Sequence, residues 1–338
     1  MILVTGSTGV VGAHLLYHLT KENDAVKALY RNKKKIETVK HVFSYYENDV
    51  EKLFSKIKWV KGDITDIPSL ENAFKDITYV YHCAALVSFD PNNYRKLRNV
   101  NIKGTANIVN LCISNSIKKL CYVSSIAAIG ETPDAGKKLI DEFSEWNPEA
   151  DHSVYAITKY GAEMEVWRGT QEGIDTIIVN PGIIIGPGYW GTSSGSLIKR
   201  IYKGQKYFTS GVSGYVDVND VVLPMIKLMN STIKNERYIL VSENISFKDF
   251  AIHASEKLQV SPPTKEASFL MLQIIWRLDW LNYFFKRKYR KLTKQMVTSI
   301  TSNSYYSNKK VLDDLPEFKF MKVKDSIALT ASYFLKDF

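Results

Sequence analysis

The chain has 338 residues and a formal net charge of +10, with 45% hydrophobic and 24% charged residues. These proportions are ordinary for a globular protein, so they exclude a fibrous or disordered chain and allow one large domain or two smaller ones. The positive charge is compatible with binding to nucleic acid or to an anionic membrane, but a basic surface with a pocket for phosphates explains it as well. We favour the phosphate pocket as the explanation and expect no nucleic-acid partner.

The cysteines and the start of the chain bear on the cellular compartment in which the protein is expected. Cys83, Cys112 and Cys121 all lie in apolar surroundings, and their odd number gives no disulfide framework. The chain opens on an apolar strand, which leaves no room for a signal peptide. We therefore expect reduced thiols in a cytoplasmic protein.

Strand and helix signals alternate along the first half of the chain. Apolar runs predict strands at residues 1–4, 25–30, 58–61, 79–83 and 119–123. Helical periodicity predicts helices at residues 10–20, 68–74 and 94–115. This alternation predicts an α/β fold built on a doubly wound parallel sheet, with ligands at the carboxyl ends of its strands.

A glycine-rich turn follows the first predicted strand, with the sequence Thr5-Gly6-Ser7-Thr8-Gly9-Val10-Val11-Gly12. Gly6 permits the tight turn, Gly9 lets backbone N–H groups approach a phosphate, and Gly12 lets the helix pack close to the strand. The strand before the turn and the helix after it supply the context that dinucleotide binding requires. The turn residues expected to contact the cofactor are Gly6, Thr8, Gly9, Val10, Val11 and Gly12.

The second half of the chain is less regular. We predict a helix at residues 155–171, a strand at 176–179, a loop at 181–196 and a helix at 220–229. Because there is no internal repeat or low-complexity linker, the C-terminal part is expected to pack onto the sheet. The predicted division is a dinucleotide-binding domain over residues 1–180 and a mixed region over 181–338. That region contributes to the sheet and forms a smaller substrate lobe.

The end of the second predicted strand bears on the choice of cofactor. An acidic residue there would bind the 2′-hydroxyl of NAD, but this chain has Arg31, followed by Lys33 and Lys34. A guanidinium can stack on adenine and pair with a 2′-phosphate. The sequence therefore predicts NADP, with NAD as the alternative.

Tyr155 and Lys159 have the spacing that places two side chains on one face of a helix. This predicted helix follows Ser124-Ser125, which end a core strand on the cofactor side. There we expect the ammonium to lower the phenol pKa and to bind a nicotinamide ribose. Tyr155 would then exchange a proton with the oxygen of a carbonyl or alcohol, and Ser125 would hydrogen-bond the same oxygen.

These motifs together resemble the extended short-chain dehydrogenase/reductases, the NAD-dependent epimerase/dehydratase family with a Rossmann fold. The resemblance runs from Gly6 to about Asp220. Its further segments are Gly62-Asp63-Ile64-Thr65-Asp66, His82-Cys83-Ala84-Ala85, Asn101-Ile102-Lys103-Gly104-Thr105 and Tyr215-Val216-Asp217-Val218. It implies Ser125, Tyr155 and Lys159 as catalytic residues, the last two also touching the cofactor. The further cofactor contacts that it implies are Asp63 and Ile64 at the adenine, Ala84 and Ala85 along the cofactor, and Pro181 and Gly182 near the nicotinamide.

The stretch from Asn180-Pro181-Gly182 to Gly186-Pro187-Gly188 is similar to the dihydroflavonol-4-reductase and 3β-hydroxysteroid dehydrogenase branch. Nucleotide-sugar epimerases and dehydratases carry RxxNxYGP here, whereas this chain has Asn180 and Ile183 at the Arg and Asn positions. The resemblance implies an NAD(P)-dependent oxidoreductase that transfers a hydride between the cofactor and a small-molecule carbonyl/alcohol substrate. A nucleotide-sugar epimerase or dehydratase and a non-catalytic cofactor-sensing module stay as alternatives.

An apolar segment at residues 267–285 is followed by six basic residues and no acidic one at 286–294. Arg277 and Asp279 interrupt the segment on different helical faces, so it is neither a clean transmembrane helix nor a clean interfacial one. We favour a buried or substrate-covering helix over a peripheral membrane contact through residues 267–294 and over an oligomer contact.

Two predicted helices, at residues 94–115 and 155–171, carry apolar residues beyond the needs of one sheet face. These residues are Ile108, Leu111, Ile113, Met164 and Val166. By analogy with the family, we expect a homodimer. His14 and His18 share a helix face without a third ligand, so no metal site is expected.

Overall fold

Strands and helices alternate through most of the chain in the computed structural model, which describes residues 1–130, 139–286 and 292–338. The strands are β1 (Ile2–Thr5), β2 (Val26–Tyr30), β3 (Ile57–Lys61), β4 (Tyr79–His82), β5 (Lys119–Val123), β6 (Asp175–Pro181), β7 (Ile183–Ile185), β8 (Tyr207–Phe208), β9 (Val212–Asp217), β10 (Glu236–Leu240), β11 (Glu243–Ser246) and β12 (Lys265–Glu266). The α-helices are α1 (Val10–Glu22), α2 (Ile36–Phe43), α3 (Val50–Phe54), α4 (Ile67–Phe74), α5 (Tyr94–Leu97), α6 (Gly104–Ser114), α7 (Val154–Gln171), α8 (Ser193–Tyr202), α9 (Val218–Asn230), α10 (Phe247–Leu258), α11 (Phe269–Lys286), α12 (Lys294–Thr301), α13 (Lys309–Asp314) and α14 (Val323–Asp337).

Seven parallel strands form the central sheet in the order β10-β6-β5-β4-β1-β2-β3. The chain starts in the middle with β1, runs outward through β2 and β3, and then crosses to β4 on the other side of β1. In such a doubly wound sheet, the reversal between β1 and β4 opens a crevice at the carboxyl ends of these strands. The predicted fold class is confirmed.

Both faces of the central sheet are covered, which explains why its strands read as continuous apolar runs. Strand β5 is buried at all of its positions. One face packs against α1 and α9, with Leu15 and Met225 in the shared core. The other face packs against α4, α6 and α7, with Phe74, Ile108 and Val166 in the core.

The apolar residues that we assigned to a dimer contact divide between core and surface. Ile108 and Val166 are fully buried under the sheet, so their assignment to a subunit contact is wrong. Met164 is exposed, and Leu111 and Ile113 are half-buried. A helix that covers a sheet needs a wide apolar stripe, and this stripe accounts for two of the five residues.

The predicted helix at residues 94–115 is helical over most of its length but not uniform. A π-helical stretch, Arg98–Lys103, connects α5 to α6. Such stretches are rare, and they frequently occur at functional sites. Asn101 is the buried residue of this stretch, and its hydrogen bonds are described with the candidate active site below.

The second half of the chain extends the central sheet and adds a lobe. Strand β10 joins the central sheet beside β6, while β7, β9 and β11 form a second sheet that packs with α8, α10 and α14 around Phe250 and Phe334. The predicted loop at residues 181–196 is wrong in part, because Ile183–Ile185 forms β7 and α8 begins at Ser193. Three successive isoleucines favour a strand there despite the flanking glycines and prolines. The division of the chain at residue 180 stays a prediction.

Helices α11 and α12 form a helical hairpin in the lobe. Ala267, Leu272 and Val297 form a small buried cluster between them. Other apolar residues of α11 lie at the surface, and Leu270 is 75% exposed. Helix α11 is therefore only partly buried, and its role as a substrate-covering helix stays a prediction. Among the described residues, no helix has the length and apolar character needed to cross a membrane.

Candidate active site

The glycine turn between β1 and α1 lies at the crevice between β1 and β4. Gly6 has a φ of +65°, and a Cβ there would lie 2.5 Å from the backbone nitrogen of Ala84, just after β4. A Cβ on Gly12 would lie 2.3 Å from the carbonyl oxygen of Gly6. These two glycines are therefore required by the close packing of the turn against its own helix and against the neighbouring strand.

Gly9 differs from the other two glycines because the space beside it is open. Among the described residues, a Cβ on Gly9 would come within 4 Å of the Gly6 carbonyl oxygen only, at 3.3 Å. Gly9 is also the N-cap of α1, and no described side chain caps that end of the helix. Open space in front of uncapped N–H groups and a positive helix dipole fits the pyrophosphate of a dinucleotide. Thr8 and Val10 of the same turn are half-buried, and Val11 is buried.

Arg31 and Asp63 lie side by side where β2 and β3 end. The strand register pairs the last residues of these strands, so the side chains that follow can meet. They form an ion pair, with 3.4 Å between Nη1 and Oδ2, and the Arg31 side chain stays 62% exposed. Although burial opposes it, hydrogen bonds from Thr65 and the charge of Arg31 hold the pKa of Asp63 below its usual value. Sequence analysis predicted both residues as cofactor contacts but did not predict that they pair.

The remaining predicted cofactor residues follow β3, β4 and β6. Ile64 is buried, Ala84 is half-buried and Ala85 is exposed. Pro181 ends β6, and a Cβ on Gly182 would lie 2.4 Å from a backbone carbonyl oxygen of β9. Since parallel strands end at one edge of a sheet, the structure brings all of these residues to the edge that carries the glycine turn.

Ser125 and Tyr155 meet at the carboxyl end of β5. Ser125 Oγ accepts a hydrogen bond from the backbone N–H of Ala127, at 3.2 Å. Tyr155 lies in the first turn of α7, where Ser153 caps the helix by accepting from the N–H of Ala156, at 3.1 Å. Desolvation raises the pKa of Tyr155 to about 12, opposed by a hydrogen bond with Ser125. The phenol is therefore protonated at neutral pH and can act as a proton donor.

Lys159 lies one helical turn after Tyr155 and is buried. Its Nζ donates to Tyr122 Oη at 2.7 Å and to the carbonyl oxygen of Val123 at 2.8 Å, both on β5. Burial lowers the pKa of Lys159 to about 7, opposed by the carboxylate of Glu163. These acceptors hold the Lys159 ammonium against β5, and desolvation dominates at the phenol in this structure. That Lys159 lowers the phenol pKa when the cofactor is bound stays a prediction.

Glu163 is a buried carboxylate that sequence analysis did not single out. Its side chain has no exposed surface, and it lies one helical turn after Lys159. It accepts hydrogen bonds from Ser124 Oγ at 2.6 Å, Asn180 Nδ2 at 2.9 Å and Arg237 Nη1 at 3.2 Å. The spacing of residues 155, 159 and 163 along one helix face was the available signal, but the donors to Glu163 named above lie just after β5, on β6 and on β10.

Asn101 connects the segment after β4 to α7. Its Oδ1 accepts from the N–H of Leu86 at 2.7 Å, and its Nδ2 donates to the Leu86 carbonyl at 3.0 Å and to Thr158 Oγ1 at 3.1 Å. Thr158 precedes Lys159 on α7. Asn101 therefore fixes the distance between the cofactor segment after β4 and the helix that carries Tyr155.

The two histidines that share a face of α1, His14 and His18, form hydrogen bonds with other groups of the protein. His14 is buried and hydrogen-bonds to Tyr46 Oη and to the Pro187 carbonyl, while His18 pairs with Asn219 at 2.9 Å. Burial lowers the pKa of His14 to about 4, so its imidazole is neutral. Within the described part of the chain, no three His, Cys, Asp or Glu side chains are grouped to hold a metal ion.

Residues 2–240 match the model of the NAD dependent epimerase/dehydratase family. The chain belongs to this family. It is 32% identical over 261 residues to a putative dihydroflavonol 4-reductase of Synechocystis sp., covering 75% of this chain and 71% of that protein. It is 24% identical over 247 residues to cinnamoyl-CoA reductase 1 of Petunia hybrida, covering 71% and 72%.

Two solved structures of the same fold contain ligands. UDP-glucose 4-epimerase of Thermotoga maritima, solved with UDP-glucose, has a TM-score of 0.75 and 20% identity, covering 99% of both chains. The enzyme WbmH of Bordetella bronchiseptica, in complex with NAD+, has a TM-score of 0.74 and 16% identity, covering 99% of this chain and 98% of that one. At these sequence identities, the two structural similarities show a shared fold and nothing about activity.

The family, the Rossmann fold and the predicted resemblance to the dihydroflavonol reductase branch are confirmed. The chain is an NAD(P)-dependent enzyme of the short-chain dehydrogenase/reductase class, which confirms the predicted oxidoreductase. The cofactor class is a nicotinamide dinucleotide.

Proposed function

We propose that this enzyme uses NADP to interconvert an apolar carbonyl compound and its alcohol. The observation that carries the proposal is the position of the Tyr155 phenol. Ser125 lies beside it and Lys159 one helical turn behind it, at the sheet edge that also carries the glycine turn and Arg31. A proton donor next to a dinucleotide turn is what a carbonyl reduction requires.

The proton chemistry follows from the protonated phenol. When bound, the nicotinamide supplies or accepts the hydride at the substrate carbon. In the reducing direction, Tyr155 Oη donates its proton to the carbonyl oxygen and becomes a phenolate, while Ser125 Oγ hydrogen-bonds that oxygen. Because the pKa of Tyr155 is about 12, its phenolate needs a cation. Lys159 is the cation one turn away, and each unit by which it lowers the phenol pKa is worth about 1.4 kcal/mol.

Arg31 supports NADP as the preferred dinucleotide, with NAD as the alternative. Its guanidinium is exposed at the end of β2, where the adenosine ribose of a dinucleotide binds in this fold. The Asp63 carboxylate follows β3 rather than β2, and it orients Arg31 through their ion pair. A guanidinium so held favours a 2′-phosphate over a bare hydroxyl.

The surroundings of Tyr155 support an apolar substrate. The ring of Phe89 packs edge-on against the Tyr155 ring, with 5.5 Å between centroids. Asn180, where the sugar enzymes carry an arginine, is buried, and its amide nitrogen donates to the Ser125 carbonyl and to Glu163, so this position supplies no cation for a sugar nucleotide. The named relatives, a putative dihydroflavonol 4-reductase and a cinnamoyl-CoA reductase, are reductases by name. No observation specifically favours the epimerase or dehydratase alternative.

We also propose a homodimer in the cytoplasm. Met164 on α7 is exposed, and Leu111 and Ile113 on α6 are half-buried, which leaves apolar surface on two adjacent helices. A two-fold axis along such a pair would bury this surface in a self-complementary contact. The free thiols of the three cysteines agree with a reducing compartment.

The test is Tyr155→Phe, assayed by loss of NADPH absorbance with cinnamaldehyde and a panel of related aldehydes and ketones. Phenylalanine keeps the ring packing but removes the proton, so turnover falls by about 10²–10⁴-fold while NADPH affinity stays near normal. Tyr160→Phe is the matched control, because Tyr160 lies on α7 with its ring stacked on Trp146 at 4.4 Å, and turnover there stays unchanged. Near-normal turnover of the Tyr155 variant on any accepted substrate would refute the assignment.

A further inference from the structure

Helix α11 carries a continuous apolar stripe that faces outward. Leu270, Ile274, Leu278 and Leu281 are 75%, 60%, 55% and 43% exposed. At about 100° per residue, the four side chains fall within about 80° of the helix circumference. Scattered exposed apolar residues are common, but a row of four along one helix marks a contact surface. We call these four residues the α11 stripe.

Of the charged residues in the middle of α11, Asp279 falls on the face opposite the stripe, whereas Arg277 falls at the edge of the stripe, about 20° from Leu270. The guanidinium of Arg277 donates to the Gln273 carbonyl at 2.7 Å and lies over the Trp276 ring, 4.6 Å from its centroid. The carboxylate of Asp279 accepts from the backbone N–H of Leu292, so it faces the protein. Asp279 therefore does not interrupt the stripe, and Arg277 places a cation at its edge, where an anionic surface accepts it.

The opposite face of α11 is apolar as well, because it packs on the lobe. Leu272 is buried with Val297 of α12, and Trp276 packs against the same cluster. A helix with one apolar face toward the protein and another toward the outside has little net amphipathicity. This explains why α11 resembles neither a spanning helix nor an ordinary amphipathic one.

We propose that the α11 stripe docks on the surface of an anionic lipid bilayer. The charge of the chain supports this occupant, since residues 286–294 follow the helix with six basic residues and no acidic one, and the whole chain carries +10. Basic residues next to an apolar stripe attract anionic headgroups while the stripe enters the acyl boundary. A second copy of this chain would instead bring two strongly basic surfaces together, which opposes pairing through the stripe.

Helix α12, which packs against α11, begins near the proposed catalytic tyrosine. Thr293, just before α12, donates to the Phe89 carbonyl at 3.3 Å, and Lys294 pairs with Asp151 at 2.8 Å. Phe89 contacts the Tyr155 ring. The α11–α12 hairpin thus borders the active site, and docking would turn that side toward the bilayer. In a step that rests on the proposed function, this favours carbonyl substrates dissolved in the membrane.

The test is co-sedimentation of the full chain with phosphatidylcholine vesicles that contain phosphatidylserine. We expect binding that weakens with added salt and with vesicles of phosphatidylcholine alone. The double variant Leu270→Gln/Leu278→Gln lowers the partition coefficient by at least about tenfold, because two apolar side chains no longer enter the bilayer. Ile274→Gln/Leu281→Gln does the same, which excludes a folding defect of one variant as the cause.

The matched control is Ile67→Gln/Leu335→Gln, which changes two similarly exposed apolar residues elsewhere and leaves binding unchanged. Tyr155→Phe also binds vesicles as the unmodified chain does, so docking is tested apart from catalysis. Lack of vesicle binding by the unmodified chain, or stripe variants that bind vesicles as tightly as the unmodified chain does, overturns the proposal. An oligomer that the stripe variants dissociate, seen by light scattering without vesicle binding, assigns the stripe to a second copy and overturns it as well.

Discussion

Replacing Glu163 with Gln tests the buried charge network behind the catalytic helix. Glu163 is fully buried, and Arg237 is 18% exposed at its side chain. Glutamine keeps the shape of the side chain but removes its charge and puts an N–H₂ group among donors. The hydrogen bonds from Ser124 and Asn180 and the ion pair with Arg237 cannot all persist.

The structure supports a loss of about 3 kcal/mol in the free energy of unfolding. Breaking a buried ion pair by removing one partner typically costs about 3–5 kcal/mol. The lower end applies because Arg237 keeps the backbone carbonyl of Glu142 as an acceptor for its Nε, at 2.8 Å. Glu165→Gln is the matched control. Glu165 lies on the same helix and pairs with the partly exposed Arg168, so its loss costs about 0–1 kcal/mol.

Urea unfolding, followed by fluorescence and circular dichroism, measures both variants. A second measurement separates the electrostatic role of Glu163 from its structural one. Since Glu163 opposes the lowering of the Lys159 pKa, its removal shifts that pKa below about 7. At about pH 7, part of the unmodified Lys159 is charged and less of it is charged in the variant, whereas near pH 9 the amine is neutral in both. The variant's NADPH affinity therefore falls more at about pH 7 than at about pH 9. A loss of stability under about 1 kcal/mol, or an equal fall in NADPH affinity at both pH values, would refute the reasoning.

Three further predictions concern the cofactor turn and the core. Arg31→Ala weakens NADP binding by about tenfold and hardly changes NAD binding, whereas Lys33→Ala weakens NADP binding less. Isothermal titration with both dinucleotides measures these affinities. Equal losses of affinity for NADP and NAD in the Arg31 variant would mean that Arg31 is structural. Gly9→Ala folds normally but loses NADPH affinity. Gly12→Ala loses about 1–3 kcal/mol of stability in urea unfolding, because its Cβ would lie 2.3 Å from a backbone oxygen. Burial lowers the pKa of His82 to about 3. In the unfolded chain His82 binds a proton with a pKa of about 6.5, so the free energy of unfolding falls below that pH by up to about 1.4 kcal/mol per pH unit. His82→Asn makes this fall less steep, which urea unfolding at a series of pH values measures.

The sequence predicted the fold and most of the candidate site because the informative signals are local. A strand, a glycine turn and a helix occupy consecutive residues, so Gly6, Gly9 and Gly12 can be read without any long-range information. Tyr155 and Lys159 are likewise one helical turn apart. Their arrival at one sheet edge follows from the rule that parallel strands end together.

The residues that support this site could not be predicted in the same way. Glu163 reads as an ordinary helix surface residue until β5, β6 and β10 bring donors to it. Tyr122 reads as a core strand residue, and only the packing of α7 on β5 makes its hydroxyl the acceptor of the Lys159 ammonium. Such contacts depend on strand order, which local patterns do not specify.

The dependence of the site on β10 argues against treating residues 1–180 as a self-sufficient catalytic unit. Lys159 is buried, so desolvation works against its charge, and the Glu163 carboxylate is what opposes this. That carboxylate is itself fully buried, and a buried charge is tolerated only when it is paired. Its ion-pair partner, Arg237, lies on β10, which the chain reaches only after β7 and β9 of the second sheet. A chain cut after β6 would leave Glu163 without this cation, and protonation of Glu163 would then remove the support for the charge of Lys159.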